Sequence, residues 1–515
     1  MQPELMDALK SKRGVIEEIC KVSGVAGVSI AVIDQGETIW QTNFGYRDLE
    51  NEKPVTSDTI FPIASMTKSF TGACINRLRQ EGKLSLDDLI AKRLPEATSQ
   101  DDTIATTATI ADLLGHRTGL QAANNMWLGA QGELLFNRDQ TATAFSHLKP
   151  QVSLRSGFFY NNIGYATLGE IIIKLTGQPY YVYLKKSILE PLNMTRTFVS
   201  RDGETPENLS LAASGVMGAS GGLLSTANDL TKYYKALMKS WQAQSNLRGN
   251  DIVAEPNSPM FDQVAWLFAP LQIMEMPTVR EKSYAAGWAR SQLPTTVGDI
   301  GVNGGLVEQM PLLATGIDSR LALWHQGSLV GATSFVMMLP ETESAVVVLT
   351  NTMALNDAAD WIGQLLVETL LDAPIRNDYV ALASLSADRA LKKYEELTQN
   401  VNEGRESDGI IRDLRDYVGR YVGFGGIFHI DVVNSEKGLE ILFQGRESQK
   451  YLLKHHHQDK FTWFMTWNEQ VKRARWIITN PAFYFISFQA EQGKVTALNW
   501  VHDASIPEGE SFFKA

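Results

Sequence analysis

Ile63-Ala64-Ser65-Met66-Thr67-Lys68-Ser69-Phe70-Thr71-Gly72 reads as a strand or loop turning into a helix, with Ser65 in the first turn. Helical residues three apart share a face, so Lys68 stands one turn beyond Ser65 and points the same way. A serine hydroxyl is a weak nucleophile until a base removes its proton. A lysine beside it becomes that base once burial draws its pKa toward neutrality. The helix N-terminus adds backbone N–H groups and a field that favours an oxyanion. The same residues also fit an N-cap serine followed by a solvated helix lysine. The spacing recurs at Ser146/Lys149 and Ser511/Lys514, to which no chemistry is assigned. Context sets Ser65 apart: Phe61-Pro62-Ile63-Ala64 leads in, and Phe70, Cys74 and Leu78 form an apolar stripe behind it.

Around this stretch the chain reads as a mixture of helices and antiparallel strands. Val28–Ile33 and Thr38–Gln41 form a hairpin closed by Asp34-Gln35-Gly36-Glu37. The serine helix runs to about Gln80 and stops at Gly82, and Leu84–Leu89 begins another helix. His116 lies in a glycine turn after a short helix; it could be read as a catalytic base, and the preferred reading is a structural residue that hydrogen-bonds the turn. Tyr160-Asn161-Asn162 enters a further helix carrying Leu168, Ile171, Ile172 and Leu175. Ala212–Gly215 through Leu223 is a small-residue turn, and Ser225–Leu230 caps a helix that reaches about Leu237. Residues 241–282 lack periodicity and read as an insertion or lid. Ala286-Gly287-Trp288 begins a strand, and 294–320 is irregular. Leu321–Ser328, Phe335–Leu339 and Ala345–Asn351 are strands whose near-continuous apolar runs imply a sheet covered on both faces. A helix follows at roughly 357–371.

Beyond it the character changes. Residues 376–409 are helical and then polar, as expected of a linker. Short aromatic strands then recur, as at Ile427–Val432, Phe461–Met465 and Val495–Trp500, the pattern of a small antiparallel barrel or sandwich. Three units are expected: a main domain over 1–375, a helical linker over 376–412 and an all-β barrel over 413–515. His455-His456-His457 on a strand cannot all face one ion, so an exposed turn is expected there rather than a metal site.

The chain has 515 residues, of which 44% are hydrophobic and 20% charged, values of a globular protein with room for a large core. A net charge of −11 argues against a nucleic-acid surface. Cys20 and Cys74 are too few for a disulfide framework and read as free buried thiols of a reducing compartment. No apolar leader and no 18-residue apolar run is visible, so a cytoplasmic location and no membrane span are expected. No metal cluster or phosphate loop is present, and no cofactor is expected.

Three motifs stand in order: Ser65-x-x-Lys68, Tyr160-x-Asn162 and His325-x-Gly327. With these and the flanking Gly221-Gly222-Leu223 and Gly287-Trp288, residues 15–372 resemble the serine β-lactamase and penicillin-binding-protein-like family, in its class C β-lactamase-like esterase and peptidase branch. The C-terminal unit resembles the lipocalin-like barrel often appended to such hydrolases. The resemblance implies an α+β fold, an antiparallel sheet flanked by helices, followed by a small all-β barrel. It implies Ser65 as the acylated nucleophile, Lys68 as the group that eases its deprotonation, and Tyr160 as proton shuttle, activated by Lys68 and His325. Asn162 would hydrogen-bond Lys68 and substrate, and the N–H groups of Ser65 and Ser328 would form the oxyanion hole. Gly327 would border the substrate, Trp127, Phe158, Phe159 and Trp288 read equally as apolar walls of the pocket or as core, and 241–282 and 294–320 would shape the pocket.

The third motif of true β-lactamases has a lysine where this chain has His325, which is mostly neutral at pH 7. That moves the expected substrate from the antibiotic to an ester, thioester or amide. The expected partner is a small-molecule acyl substrate, with an acyl acceptor or carrier-bound acyl chain if the enzyme transfers rather than hydrolyses. Three readings remain at this point: a serine hydrolase, an acyltransferase of secondary metabolism on the same machinery, and a catalytically silent binding protein.

Overall fold

In the computed structural model, residues 3–199, 216–245, 261–275, 278–406 and 412–515 are described. The turn expected at Ala212–Gly215, and parts of the 241–282 and 400–409 segments, lie outside them.

The main sheet is antiparallel and nine-stranded. Third from one edge is β1 (Gly27–Asp34), with β2 (Glu37–Asp48) and then the short strand Lys53–Pro54 on its outer side. On the other side the order continues through Ser344–Thr350, Ala332–Leu339, Arg320–Leu329, Ala289–Leu293 and Lys282–Tyr284. In chain order these are β3 (Lys282–Tyr284), β4 (Ala289–Leu293), β5 (Arg320–Leu329), β6 (Ala332–Leu339) and β7 (Ser344–Thr350). Alternation along each strand sorts side chains to two faces. In β7, Val346 and Val348 join the cluster beneath helix Ala358–Leu370, while Ala345, Val347 and Leu349 join the cluster holding the Ser65 helix. Both faces are covered, which is why these strands read as unbroken apolar runs.

The serine helix, α1 (Thr67–Gln80), is preceded by a 3-10 turn over Ala64–Met66. It packs on α2 (Asn162–Thr176), which starts at the Asn161 cap. The helix after Thr226, α3 (Ala227–Ser245), runs eight residues past the expected end, so 241–245 are helix rather than lid. Phe261, Val264, Leu267 and Phe268 are buried, tying the described part of the expected insertion into the core. Leu84–Leu89 forms no helix; only Ile90–Arg93 does. Ala286–Trp288 is the turn between β3 and β4, with Gly287 at φ 82°, rather than the start of a strand. A Cβ on Gly287 would meet the Lys68 carbonyl oxygen at 2.4 Å, so only glycine lets this turn lie against the start of α1.

After helix α4 (Tyr379–Asn402) comes a second nine-stranded antiparallel sheet, nearly closed into a barrel. Its first four strands, β8 (Gly419–Gly423), β9 (Phe428–Ser435), β10 (Gly438–Phe443) and β11 (Lys450–Leu452), pair in succession. The last five, from Lys454–His457 to Glu510–Lys514, do the same and return to β8. The seam falls between β11 and Lys454–His457, which are adjacent in the chain. Phe428, Phe443, Trp463, Phe483 and Trp500 pack ring on ring inside. His455–His457 lies on a strand, not in an exposed turn: His456 is buried, with Nε2 3.0 Å from the Glu403 carbonyl. Among the described residues no cluster of metal-ligating side chains occurs.

Candidate active site

Ser65 sits in a turn held by β5 and β6. Ala64 has φ 47°, a left-handed conformation that alanine avoids and that surrounding contacts must enforce. Ser334 on β6 donates to the Ile63 carbonyl (3.0 Å). Gly327 on β5 lies so close that an added Cβ would stand 2.3 Å from that same carbonyl oxygen. β4 pairs with β5 only over Arg320–Trp324, so His325–Leu329 extends past its neighbour toward the serine turn. Ser328 falls in this extension, half-buried, with its hydroxyl unpaired among the described residues.

Lys68 is fully buried. Its Nζ donates to Ser65 Oγ (3.2 Å), Asn162 Oδ1 (2.7 Å) and the Ser220 carbonyl (2.7 Å). Among the described residues no carboxylate pairs with it. Burial without a counter-charge drives its pKa well below the ordinary lysine value.

Tyr160 and Asn162 arrive from the start of α2. Asn161 caps that helix through its side chain, accepting from the Gly164 N–H (2.9 Å), and anchors the turn by donating to the Gln121 carbonyl (2.7 Å). Tyr160 and Asn162 are thereby turned toward Lys68, whose Nζ is 4.8 Å from the Tyr160 ring centre. The Tyr160 hydroxyl is buried without a well-aligned partner among the described residues. Burial pushes its pKa up, and the nearby Ser65 offsets this only in part. Tyr160 is therefore a phenol at rest, not the phenolate that an adjacent ammonium would favour.

His325 faces elsewhere than expected. Its Nδ1 can only donate to the Gln326 carbonyl, so Nε2 accepts, and it accepts from Tyr284 O–H (2.9 Å). Its ring centre is 6.2 Å from that of Tyr160. Burial, then the charge of Lys68, pushes its pKa down to about 3, so the imidazole is neutral at working pH.

His116 accepts from the Asn161 N–H at Nδ1 (3.0 Å), a structural bond that holds the entry of α2 rather than the glycine turn in which His116 itself lies. It also lies against Tyr160, with ring centres 4.3 Å apart, and against Tyr284 at 4.8 Å. Phe158 packs on His116 and Tyr284. Phe159 is half-buried, and its N–H donates to the His116 carbonyl (2.7 Å). Trp288 and Trp127 do not fit the role of substrate walls. They are 0% and 3% exposed, and Trp288 packs on Tyr234 and Phe268 in the core.

Three contributors were not evident from the sequence: Tyr284, the Ser220 carbonyl, and Asn124, whose Oδ1 accepts from Asn162 Nδ2 (3.1 Å). None lies in a motif, and each reaches the site through tertiary contact alone.

The beta-lactamase family model matches residues 13–369, and that of a domain of unknown function, DUF3471, matches 411–514. Protein flp of Staphylococcus aureus (strain COL) is 25% identical over 366 residues, covering 65% of this chain and 62% of that protein. The chain thus matches less than two thirds of the length of these relatives. The human mitochondrial serine beta-lactamase-like protein LACTB is 22% identical over 414 residues, covering 65% of this chain and 72% of that one. An octameric penicillin-binding protein homologue from Pyrococcus abyssi superposes with a TM-score of 0.55 at 21% identity, over 98% of this chain and 99% of its own. A beta-lactamase/D-alanine carboxypeptidase from Pseudomonas syringae gives 0.53 at 16%, over 72% and 100%.

Proposed function

The chain belongs to the beta-lactamase family, and on that footing we propose that it is a serine hydrolase working through an acyl-enzyme on Ser65. The observation that carries the reading is Lys68: a buried amine, free of any carboxylate among the described residues, 3.2 Å from Ser65 Oγ. Neutral Lys68 takes the Ser65 proton as Oγ attacks the acyl carbon. The N–H groups of Ser65 and Ser328 receive the oxyanion. Tyr160, a phenol at rest, donates its proton to the leaving group and recovers one from the Lys68 ammonium. Water then repeats the sequence to release the acid. Asn162 holds Lys68 in line.

A neutral His325 supplies no fixed positive charge for a substrate carboxylate. This favours esters, thioesters or amides without an acid group beside the scissile bond. The test is labelling with a fluorophosphonate and turnover of p-nitrophenyl esters, read by intact mass and product release. Labelling and turnover in wild type, both lost in Ser65→Ala, support the reading; an unlabelled, folded wild type refutes it. Acylation without release, relieved by an added alcohol, amine or thiol, would instead make the enzyme an acyltransferase.

A further inference from the structure

The barrel reaches the catalytic lysine through a chain of hydrogen bonds. Segment 123–136 of the main domain lies against it: Gln449 accepts from the Ala130 N–H (2.8 Å), the Arg473 carbonyl accepts from the Gln131 N–H (2.8 Å), and Arg446 donates to the Leu134 carbonyl (2.9 Å). The loop after the strand Lys494–Trp500 grips the start of this segment. Asp503 Oδ2 accepts from the Ala123 N–H (2.8 Å), and Asn125 Nδ2 donates to the His502 carbonyl (2.7 Å). Asn124 stands between these two grips. Ala123 itself has φ 47°, a left-handed conformation that a residue with a Cβ holds only under constraint.

Asn124 decides which way the Asn162 amide points. Its Oδ1 accepts from Asn162 Nδ2, leaving Asn162 Oδ1 for Lys68 Nζ (2.7 Å). An amide has one accepting and one donating end. If Asn124 shifts, the amide loses the acceptor that fixes its NH2, and a neutral Nζ, which can accept as well as donate, no longer selects the oxygen. We infer that Asp503 of the barrel is a positioning residue for the Ser65 reaction, acting through Ala123 and Asn124 on the orientation of Asn162 and so on the aim and charge of Lys68. This rests on the serine-hydrolase reading above and gives the C-terminal domain a part in it.

The sign of the effect on Lys68 follows from the bond it would lose. An oxygen accepting from Nζ favours the ammonium, so releasing Asn162 lowers the Lys68 pKa further. Misalignment by about 1 Å commonly costs up to about 10²-fold in rate. Full-length wild type, Asp503→Ala, Asp503→Asn and Asn125→Ala are labelled with the fluorophosphonate at a series of pH values. Asp503→Ala and Asn125→Ala are expected to label about tenfold more slowly on the plateau, with the acid limb displaced to lower pH. Asp503→Asn keeps an acceptor for the Ala123 N–H and is expected to recover most of the rate and the wild-type limb.

A purely stabilising barrel would not move the limb. Wild-type plateau and limb in both alanine variants would overturn the inference while leaving the serine reading intact. No labelling of folded wild type would overturn both. If Asp503→Ala does not fold, Asn125→Ala decides, since it leaves the bonds of Asp503 within its own loop (to Ser505) untouched.

Discussion

A fully buried lysine that donates to three oxygens and, among the described residues, pairs with no carboxylate carries its charge at a cost, because low-dielectric surroundings penalise the ammonium. That cost makes Lys68 usable as a base. Labelling of Ser65 should therefore rise with pH through a lowered Lys68 pKa and level off well below 10.5, the ordinary lysine value. A rise centred near 10.5 would contradict it. Lys68→Met should still fold and should label about 10²–10⁴-fold more slowly. Stability carries the same sign. Between the native pKa of Lys68 and 10.5 the unfolded chain holds one more proton than the folded one, so wild-type stability rises with pH across that window. Lowering the pH below 10.5 should thus favour Lys68→Met over wild type in denaturant midpoints, and a gap that does not change with pH would show that Lys68 stays charged. His325, held near 3, should add no inflection around 6.5 to the labelling profile.

At the scale of elements, the site is made by close backbone approaches that glycines permit. Gly327 brings β5 against the Ile63 carbonyl, and Gly287 brings the β3–β4 turn against the first residues of α1. Gly327→Ala places a methyl group 2.3 Å from both the Ile63 oxygen and Ser334 Oγ. It should cost about 2 kcal/mol or more of stability and slow labelling, as the strand bearing Ser328 is pushed from the serine. Unchanged melting and labelling would show that the approach is looser. The motifs were legible from sequence because their logic is local: an i,i+3 pair, a helix entry, a strand end. Their partners were not. Tyr284 meets His325 and Asn124 meets Asn162 across sequence gaps that leave no periodic trace. Trp288 misleads for a related reason: an aromatic after a glycine reads alike whether it faces ligand or core, and packing on Tyr234 and Phe268 decides. Leu84–Leu89 has helix-like spacing but is instead held by turn bonds, with Asp88 accepting from the Ser85 N–H (2.7 Å).

At the scale of the molecule, the two sheets share one hydrophobic cluster, and Phe136 joins them. Its ring stacks on Phe424 (5.8 Å between centres) and meets Phe428 edge-on (6.0 Å). Phe136→Ala should cost about 3–5 kcal/mol and separate the unfolding of barrel and main domain into two calorimetric transitions; a single unshifted transition would show that the halves do not depend on this contact. The fold class was legible because patterning changes from covered, apolar strands to short aromatic ones. The coupling between the halves was not, since Asp503 and Ala123 stand far apart in the chain and carry no motif. Among the described residues no helix is long and apolar enough to cross a membrane. The central claim is that a neutral Lys68 activates Ser65. Its most direct test is the rate of fluorophosphonate addition, by intact mass, to wild type and Ser65→Ala across the pH range. One adduct on wild type, none on Ser65→Ala, and a rate that reaches its plateau well below 10.5 is the predicted result. An adduct that persists in Ser65→Ala, or a rate still climbing toward the ordinary lysine pKa, would contradict it.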